Sequence, residues 1–358
     1  MSNKEPWLAV NLSTIFTGIG QIYSGNKQKG YLLIFLTIIL SIVGFWLIVS
    51  PTGNITIGCI FLVSTAILRL WNLFDAYADA KRNNSQEFEE LRKSNKDPWL
   101  AMFLSHIFWV LGQFYIGKWL IGILAIIIIL IFSFIFPLLL PVIYACISYL
   151  AYTLSPVHRE TSKKTALIIS LLLVISSLFS TGLAFSIKTY VAEARWIPSG
   201  AMEPTLHGTP NQWEADRVIV DKLIYHFQTP QRGDIVVFLP TEELIKEHYN
   251  AAFIKRIIGL PGEKVELKNG KVYVNNQVLV EDKYISSEQH TEIDVCTSGN
   301  QPPYLSKAIT IPQDSYLMLG DNRVASYDSR CWGVVPHNLI LGKVSKIFYP
   351  LHRIRKID

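Results

Sequence analysis

The sequence predicts a multi-pass α-helical membrane region followed by a mostly-β domain, and three observations predict it. Half of the 358 residues are hydrophobic and 17% are charged, with a mean hydropathy of +0.29, too apolar for a soluble chain of this size. The apolar excess is confined to the first half, where runs near the length of a bilayer crossing recur. After about residue 190 the polarity is mixed, with short alternating runs broken by turns.

The formal charge of +5 does not point to nucleic acid, because much of the basic excess flanks apolar runs. The opening MSNKEPWLAV lacks the compact apolar core and small-residue site of a cleavable signal, so insertion is expected to rely on internal spans. Cys59 and Cys146 lie inside apolar runs, Cys296 and Cys331 in the polar half, and no zinc-like spacing occurs. A Cys296–Cys331 disulfide is open to an oxidising compartment. The eight histidines form no ligand motif, so neither a metal nor another cofactor is expected.

The membrane half reads as a duplication. EPWLAVNLSTIFTGIGQIYSGNKQKG and DPWLAMFLSHIFWVLGQFYIGKWLIG match at constant offset: Pro6 with Pro98, Trp7 with Trp99, Gly20 with Gly112, Gln21 with Gln113, Tyr23 with Tyr115, Gly25 with Gly117. Each G-Q-x-Y-x-G element precedes two apolar runs, 31–50 and 55–74 in one copy, 119–136 and 138–155 in the other. Glycines and a tyrosine here suit a turn entering a helix hairpin better than a ligand site. The copies resemble small paired-helix membrane modules, a resemblance that implies no chemistry. The expected organisation is a duplicated region over 1–155, with repeats at about 5–80 and 97–155, a linker and final span over 156–190, and the β domain over 191–358.

The last span, about 166–187, is long enough to cross a hydrocarbon core of roughly 30 Å. Lys27, Lys29, the cluster from Lys81 to Lys96, Lys118, and Arg159 through Lys164 fall on one side if five helices span and 7–24 and 98–116 lie at the interface. The positive-inside rule then puts the polar half outside the cytoplasm.

From Asp216 onward RVIVDKLIY, GDIVVFL, FIKRIIGLPGEKVELKNGKVYVNNQVL, SYLMLGD and LILGKVSKIFY read as strands. VELKNGKVYVNNQVLV is the clearest hairpin, turning at Asn269-Gly270. Four segments in order, IPSGAMEPTL (197–206), RGDIVVF (232–238), FIKRIIGLPGE (253–263) and GDNRVASYDSRCWG (320–333), together resemble signal peptidase I, a Ser-Lys membrane peptidase family, over roughly residues 166–350. That resemblance implies an extracytoplasmic peptidase domain in a bacterial inner or plasma membrane. It also implies secretory preproteins with small-residue cleavage sites as partners, alongside the lipid bilayer and without nucleic acid.

By the same resemblance Lys255 is the general base. An ordinary lysine is protonated at neutral pH and cannot accept a proton, whereas burial among the apolar neighbours of FIKRIIGL lowers its pKa. The resemblance gives Ser199 an oxyanion-hole role and Ser326 the positioning of the lysine amine, with Asp321, Arg323, Asp328 and Arg330 as the supporting network. Met202, Pro204 and Thr205 complete the first motif. Val324-Ala325 depart from the family's common Asp-Asn pair.

The family's nucleophilic serine falls at Ala201, whose methyl has no oxygen to attack a carbonyl. The sequence as written is therefore expected to be inactive. Three readings stand: a deliberately replaced nucleophile, a natural pseudopeptidase that binds preproteins or regulates an active relative, or another residue in the nucleophile's place. Ser199 fits the last poorly, although residues two apart on an extended segment share a side, because a displacement of several ångströms spoils attack geometry. A membrane assembly platform, with the outer domain as passenger, is the reading from a different class.

Overall fold

The computed structural model describes residues 3–50, 52–82, 84–157, 163–285, 289–296 and 303–357. Two compact units emerge, Met1–Ala184 and Phe185–Asp358. Of the basic flank expected from Arg159 to Lys164, residues 159–162 lie outside the described residues, as does 158–162 of the expected linker.

The first unit is helical. α1 (Pro6–Ile15) and α2 (Ile19–Tyr23) lead into the hairpin of α3 (Lys27–Val49) and α4 (Ile55–Arg82), and α5 (Gln86–Lys93) follows. α6 (Pro98–Ile107) and α7 (Leu111–Tyr115) lead into α8 (Trp119–Ile135) and α9 (Leu140–Thr153), and α10 (Lys163–Ser186) closes the unit. Pro6 and Pro98 sit at helix starts, where a missing N–H costs nothing.

The G-Q-x-Y-x-G residues hold short helices against their neighbours. A Cβ on Gly20 would lie 2.2 Å from the Ala9 carbonyl oxygen and 2.3 Å from Ser13 Oγ. On Gly112 it would lie 2.0 Å from the Ala101 oxygen and 2.1 Å from Ser105 Oγ, so only glycine permits either approach. Gln21 and Gln113 donate from Nε2 to the Asn72 and Ile147 carbonyls, at 3.2 and 2.7 Å. The Tyr23 and Tyr115 hydroxyls accept from the Glu5 and Asp97 amides, at 3.1 and 3.0 Å. These contacts suit a turn feeding a helix hairpin.

Among the described residues three helices are long and apolar enough to cross a membrane: Lys27–Val49, Ile55–Arg82 and Lys163–Val191, the last including a π-helical extension. α8 and α9 are shorter, with 17 and 14 residues. Their outward faces are nonetheless apolar, as at Phe134 on α8 and Leu150 on α9. That surface is consistent with membrane anchoring.

The second unit is mostly β. Its larger sheet combines β1 (Ala192–Trp196), β2 (Arg217–Asp221), β3 (Ile235–Phe238), β4 (Phe253–Gly259), β9 (Ser315–Leu319), β10 (Val335–Pro336), β11 (Ile340–Tyr349) and β12 (Arg355–Lys356), in the order β1-β2-β11-β3-β4-β9-β10 with β12 beside β11. A smaller sheet orders β5 (Lys264–Lys268), β6 (Lys271–Val274), β7 (Gln277–Val278) and β8 (Ile309–Thr310) as β7-β6-β5-β8. Ile235 and Val237 face one core and Val236 and Phe238 another, so β3 is buried on both faces. The hairpin turns at Asn269-Gly270, with Lys268 opposite Lys271 and both turn residues at positive φ.

RVIVDKLIY is not one strand. β2 ends at Asp221, whose Oδ1 accepts from the Leu223 and Ile224 amides at 2.9 and 3.2 Å and turns the chain into the short helix α11 (Ile224–Phe227). Two further short helices, α12 (Glu242–Lys246) and α13 (Ser329–Trp332), punctuate the strands. Cys331 on α13 forms a disulfide with Cys296, closing a sequence separation of 35 residues.

That crosslink makes a prediction. Cys331→Ser, or reduction, is expected to lower stability by about 3 kcal/mol through the lost loop constraint. Denaturation of the full chain in detergent, with and without dithiothreitol, measures it; an unchanged midpoint would mean that the thiols are not paired.

Candidate active site

The segment 197–206 is fixed by its apolar residues. Ile197, Met202 and Leu206 are buried in the core beneath β2, β3 and β11, while Trp196 just before them is partly exposed. Between these anchors Gly200–Met202 forms a 3₁₀ turn, with the Glu203 amide donating to the Gly200 carbonyl at 3.1 Å. Ser199 and Ala201 are therefore not alternate positions of one extended segment, and the geometric premise for Ser199 as substitute nucleophile fails. Ser199 itself is extended and exposed.

Lys255 lies on β4, between β3 and β9, at the middle of the sheet rather than on an edge. It is 4% exposed, and its ammonium stands 5.8 Å from the Phe253 ring centre. Burial brings its pKa down to about 8, with the Arg330 charge pushing the same way and Asp328 and Asp321 opposing. Neither aspartate neutralises it, because each is taken by an arginine. Arg256 binds Asp321 through two hydrogen bonds of 2.8 and 2.7 Å, and Arg330 binds Asp328 through two of 2.8 and 2.9 Å. Among the described residues no carboxylate forms an ion pair with Lys255.

A cavity of about 660 Å³ joins these elements. Ser199, Ala201 and Lys255 line it together, with Tyr249, Phe253 and Tyr327 contributing aromatic walls. Ala194, Ala251, Ala252 and Ala325 keep parts of the wall small.

Ser326 sits behind this lining, fully buried, and among the described residues its hydroxyl has no hydrogen-bond partner. Gly320 is the contact point. A Cβ there would meet Ser326 Oγ at 2.1 Å and the Ala201 carbonyl oxygen at 2.5 Å. The Gly320 amide donates to Asp328 Oδ2 at 3.0 Å, and its carbonyl accepts from Arg323 Nε at 2.9 Å.

Asp321, Arg323, Asp328 and Arg330 are all buried, but they do not form a closed quartet. Asp321 reaches Arg256, and Arg323 reaches Glu281 and Thr291. Arg330 also donates to the Glu292, Arg323 and Ser326 carbonyls at 2.7, 2.8 and 3.1 Å. Val324 projects outward and Ala325 lines the cavity, so the departure from Asp-Asn leaves these ion pairs complete. Met202 is core. Pro204 and Thr205 turn away toward a second cavity, and Thr205 Oγ1 lies 3.5 Å from Arg256 Nη2.

Sequence reasoning missed Arg256, Gly320 and Asn322. Asn322 ties the 3₁₀ turn to the charged loop: its amide donates to the Ala201 carbonyl at 3.2 Å and its Nδ2 to the Gly200 carbonyl at 3.1 Å. Arg256 follows Lys255 directly, and Gly320 and Asn322 flank Asp321, yet Arg256 pairs with Asp321, and Gly320 and Asn322 meet the 200–201 turn, across long separations in sequence. Among the described residues no cluster of His, Cys, Asp and Glu is grouped to hold a metal ion.

A buried lysine without a carboxylate partner among the described residues thus lines a cavity of the mostly-β unit together with Ser199 and Ala201, and comparison with known proteins assigns the unit to a serine-protease hydrolase class. The family model described as signal peptidase, peptidase S26, matches residues 169–349, and the chain belongs to that family. It is 44% identical over 172 residues to the probable signal peptidase I-2 of Synechocystis sp., covering 48% of this chain and 70% of that protein. Signal peptidase I of Leptolyngbya laminosa is 46% identical over 180 residues, 50% of this chain and 79% of its own. Signal peptidase I of Bacillus amyloliquefaciens is 31% identical over 181 residues, 50% of this chain and 85% of its own.

Gly320→Ala is expected to cost roughly 1–3 kcal/mol, since its methyl collides with a backbone oxygen that cannot rotate away. Thermal unfolding with and without the substitution reads this; an unshifted midpoint would mean that the close approach relaxes freely.

Proposed function

We propose that the chain is a signal peptidase I-type protein that receives secretory preproteins, and that, as written, it holds them without cutting. The observation that carries the reading is Lys255, buried without a carboxylate partner on the same cavity wall as Ala201. All that the chemistry lacks is an oxygen at position 201.

The mechanism follows from the side chains once a hydroxyl is supplied there. Neutral Lys255 takes the hydroxyl proton as the oxygen bonds to the scissile carbonyl carbon. The negative charge passes to the carbonyl oxygen, where the Ser199 hydroxyl and the amide of residue 201 donate to it. As the peptide C–N bond breaks, the Lys255 ammonium returns its proton to the leaving amine. Water, deprotonated by the same lysine, then releases the acyl group. In this reading Ser326, buried against Gly320, orients the lysine amine, and the arginine-bound aspartates hold the loop without neutralising it. The small alanine-lined parts of the cavity suit the small residues of a signal-peptide cleavage site.

The membrane assignments belong to the same proposal. Matching close contacts at Gly20 and Gly112, and matching hydrogen bonds at Tyr23 and Tyr115, support a duplicated module over 1–155. Five spans, including the shorter α8 and α9, put residues 191–358 outside the cytoplasm of a bacterial membrane, with 156–190 carrying the last crossing. Ala201 favours a second reading, a pseudopeptidase that binds preproteins or regulates an active relative; it shares every contact described and differs only in what the binding serves.

The test is cleavage of a model secretory precursor in lipid vesicles by the chain as written and by Ala201→Ser, with identification of the new N-terminus. Cleavage by the serine form alone, after a small-residue site, is expected. Adding Lys255→Ala should cut that rate by roughly 10²–10⁴-fold; undiminished turnover would exclude the lysine as base. Failure of both forms, with precursor binding retained, would favour the pseudopeptidase.

The pH profile has a definite sign. Lys255 works only when neutral, so the cleavage rate of Ala201→Ser should climb with pH up to about 8 and level off above it. A rate that is flat from pH 6 to 9 would remove Lys255 from the proton transfer.

A further inference from the structure

A second cavity in the β unit, about 880 Å³ in volume, lies on the far side of the Pro204–Thr205 turn from the candidate active site. Its lining is strongly basic. Arg232, Arg256, Lys283, Arg355 and Lys356 face it, against the single carboxylate of Asp234.

Ion pairing does not cancel this charge. Arg232 pairs with Glu263, Arg256 with Asp321, and Asp234 with Lys343. Among the described residues Lys283 and Arg355 enter no ion pair, so the lining keeps a positive excess. The cations also differ in what they have left to give. Arg256 is committed to Asp321, the Gly233 carbonyl and Thr205, and Arg232 to Glu263 and the Ile258 carbonyl, so protein partners fix the orientation of both guanidiniums. Lys283 and Arg355 are exposed; Arg355 spends one N–H on the Thr205 carbonyl and keeps others for a ligand. The positive field is felt on the neighbouring strand, where burial first and the Lys356 charge second hold the Lys346 ammonium below the usual lysine range.

We infer that this cavity binds a phosphate-bearing anion, with Lys283 and Arg355 as its direct ligands and the ion-paired Arg232 and Arg256 forming part of its wall. Arginine matches phosphate through paired N–H donors and lysine supplies a mobile point charge, while the cavity is large enough for an organic phosphate. A soluble phosphate and a phospholipid headgroup present the same chemistry. The site is separate from the cavity that holds Lys255, so the inference stands whether or not that cavity cleaves anything.

The experiment is calorimetric titration of the full chain in neutral detergent with inorganic pyrophosphate, and separately with short-chain phosphatidylglycerol, each followed by competition with the other. Lys283→Glu and Arg355→Ala should each weaken binding about tenfold, a change of about 1.4 kcal/mol. Lys271→Glu, a charge reversal at an exposed position of β6 outside the cavity lining, should leave it unchanged. Mutual displacement, or binding of either ligand alone with this mutational pattern, supports the site; binding of one alone names the source of the phosphate. No binding of either, or equal weakening by Lys271→Glu, overturns it. Thermal melting of each variant separates lost binding from lost folding, and Lys283, exposed on a turn, is the variant least able to unfold the domain.

Discussion

The second unit is organised around one electrostatic constraint: an ammonium group must sit inside a sheet without acquiring a counterion. Lys255 stands on a strand with neighbours on both sides, close enough to Asp321 and Asp328 for both to act on it. Had either carboxylate closed on it, the pair would have fixed the proton on the lysine. Two arginines prevent that by taking both oxygens of each aspartate, and a guanidinium does this better than a second lysine would. Asp321 and Asp328 still build the loop, through the Arg256 bridge and the Gly320 amide, but their charge is spent locally.

Geometry then depends on close approach rather than on further charge. Gly320 lets the Ser326 hydroxyl and the Ala201 carbonyl come together at a point where no Cβ fits. Asn322 grips the same turn from the loop side, and Met202 and Leu206 grip it from the core side. The disulfide at Cys331 anchors α13, the helix that Asp328 caps and from which Arg330 reaches the loop carbonyls. Position 201 is thus held by hydrogen bonds, packing and a covalent tie, none of which involves its own side chain.

What could be read from the sequence follows the range of the interactions concerned. Strand alternation, the Asn269-Gly270 hairpin and the apolar helices are local patterns, and they are legible. The end of β2 was not, because Asp221 turns the chain with a side-chain hydrogen bond that a run of Val, Ile and Tyr conceals. The buried charges of 320–333 could be identified, but not their partners: Asp321 meets an arginine 65 positions away and Arg323 a glutamate 42 away. Asn322 and Gly320 went unnoticed for the same reason, since their use is defined by a turn more than a hundred residues earlier. The 3₁₀ geometry at 200–202, which separates Ser199 from Ala201, depends on two core anchors whose burial no local pattern reveals.

The absence of a hydroxyl at Ala201 and the presence of Lys255 carry different weight. An alanine in place of serine removes one polar atom and leaves the supports of the turn intact, so the fold has little stake in it. Lys255 is otherwise: a buried ammonium without a counterion destabilises the sheet, and an apolar side chain of similar volume would pack there at lower free energy. The arginine-bound aspartates explain how the fold tolerates the lysine, and they give it no structural purpose. A side chain that costs stability and has no architectural role fits the base proposed for it at the cavity it faces, since burial brings the lysine pKa down to about 8 and a leucine there would have no proton to exchange.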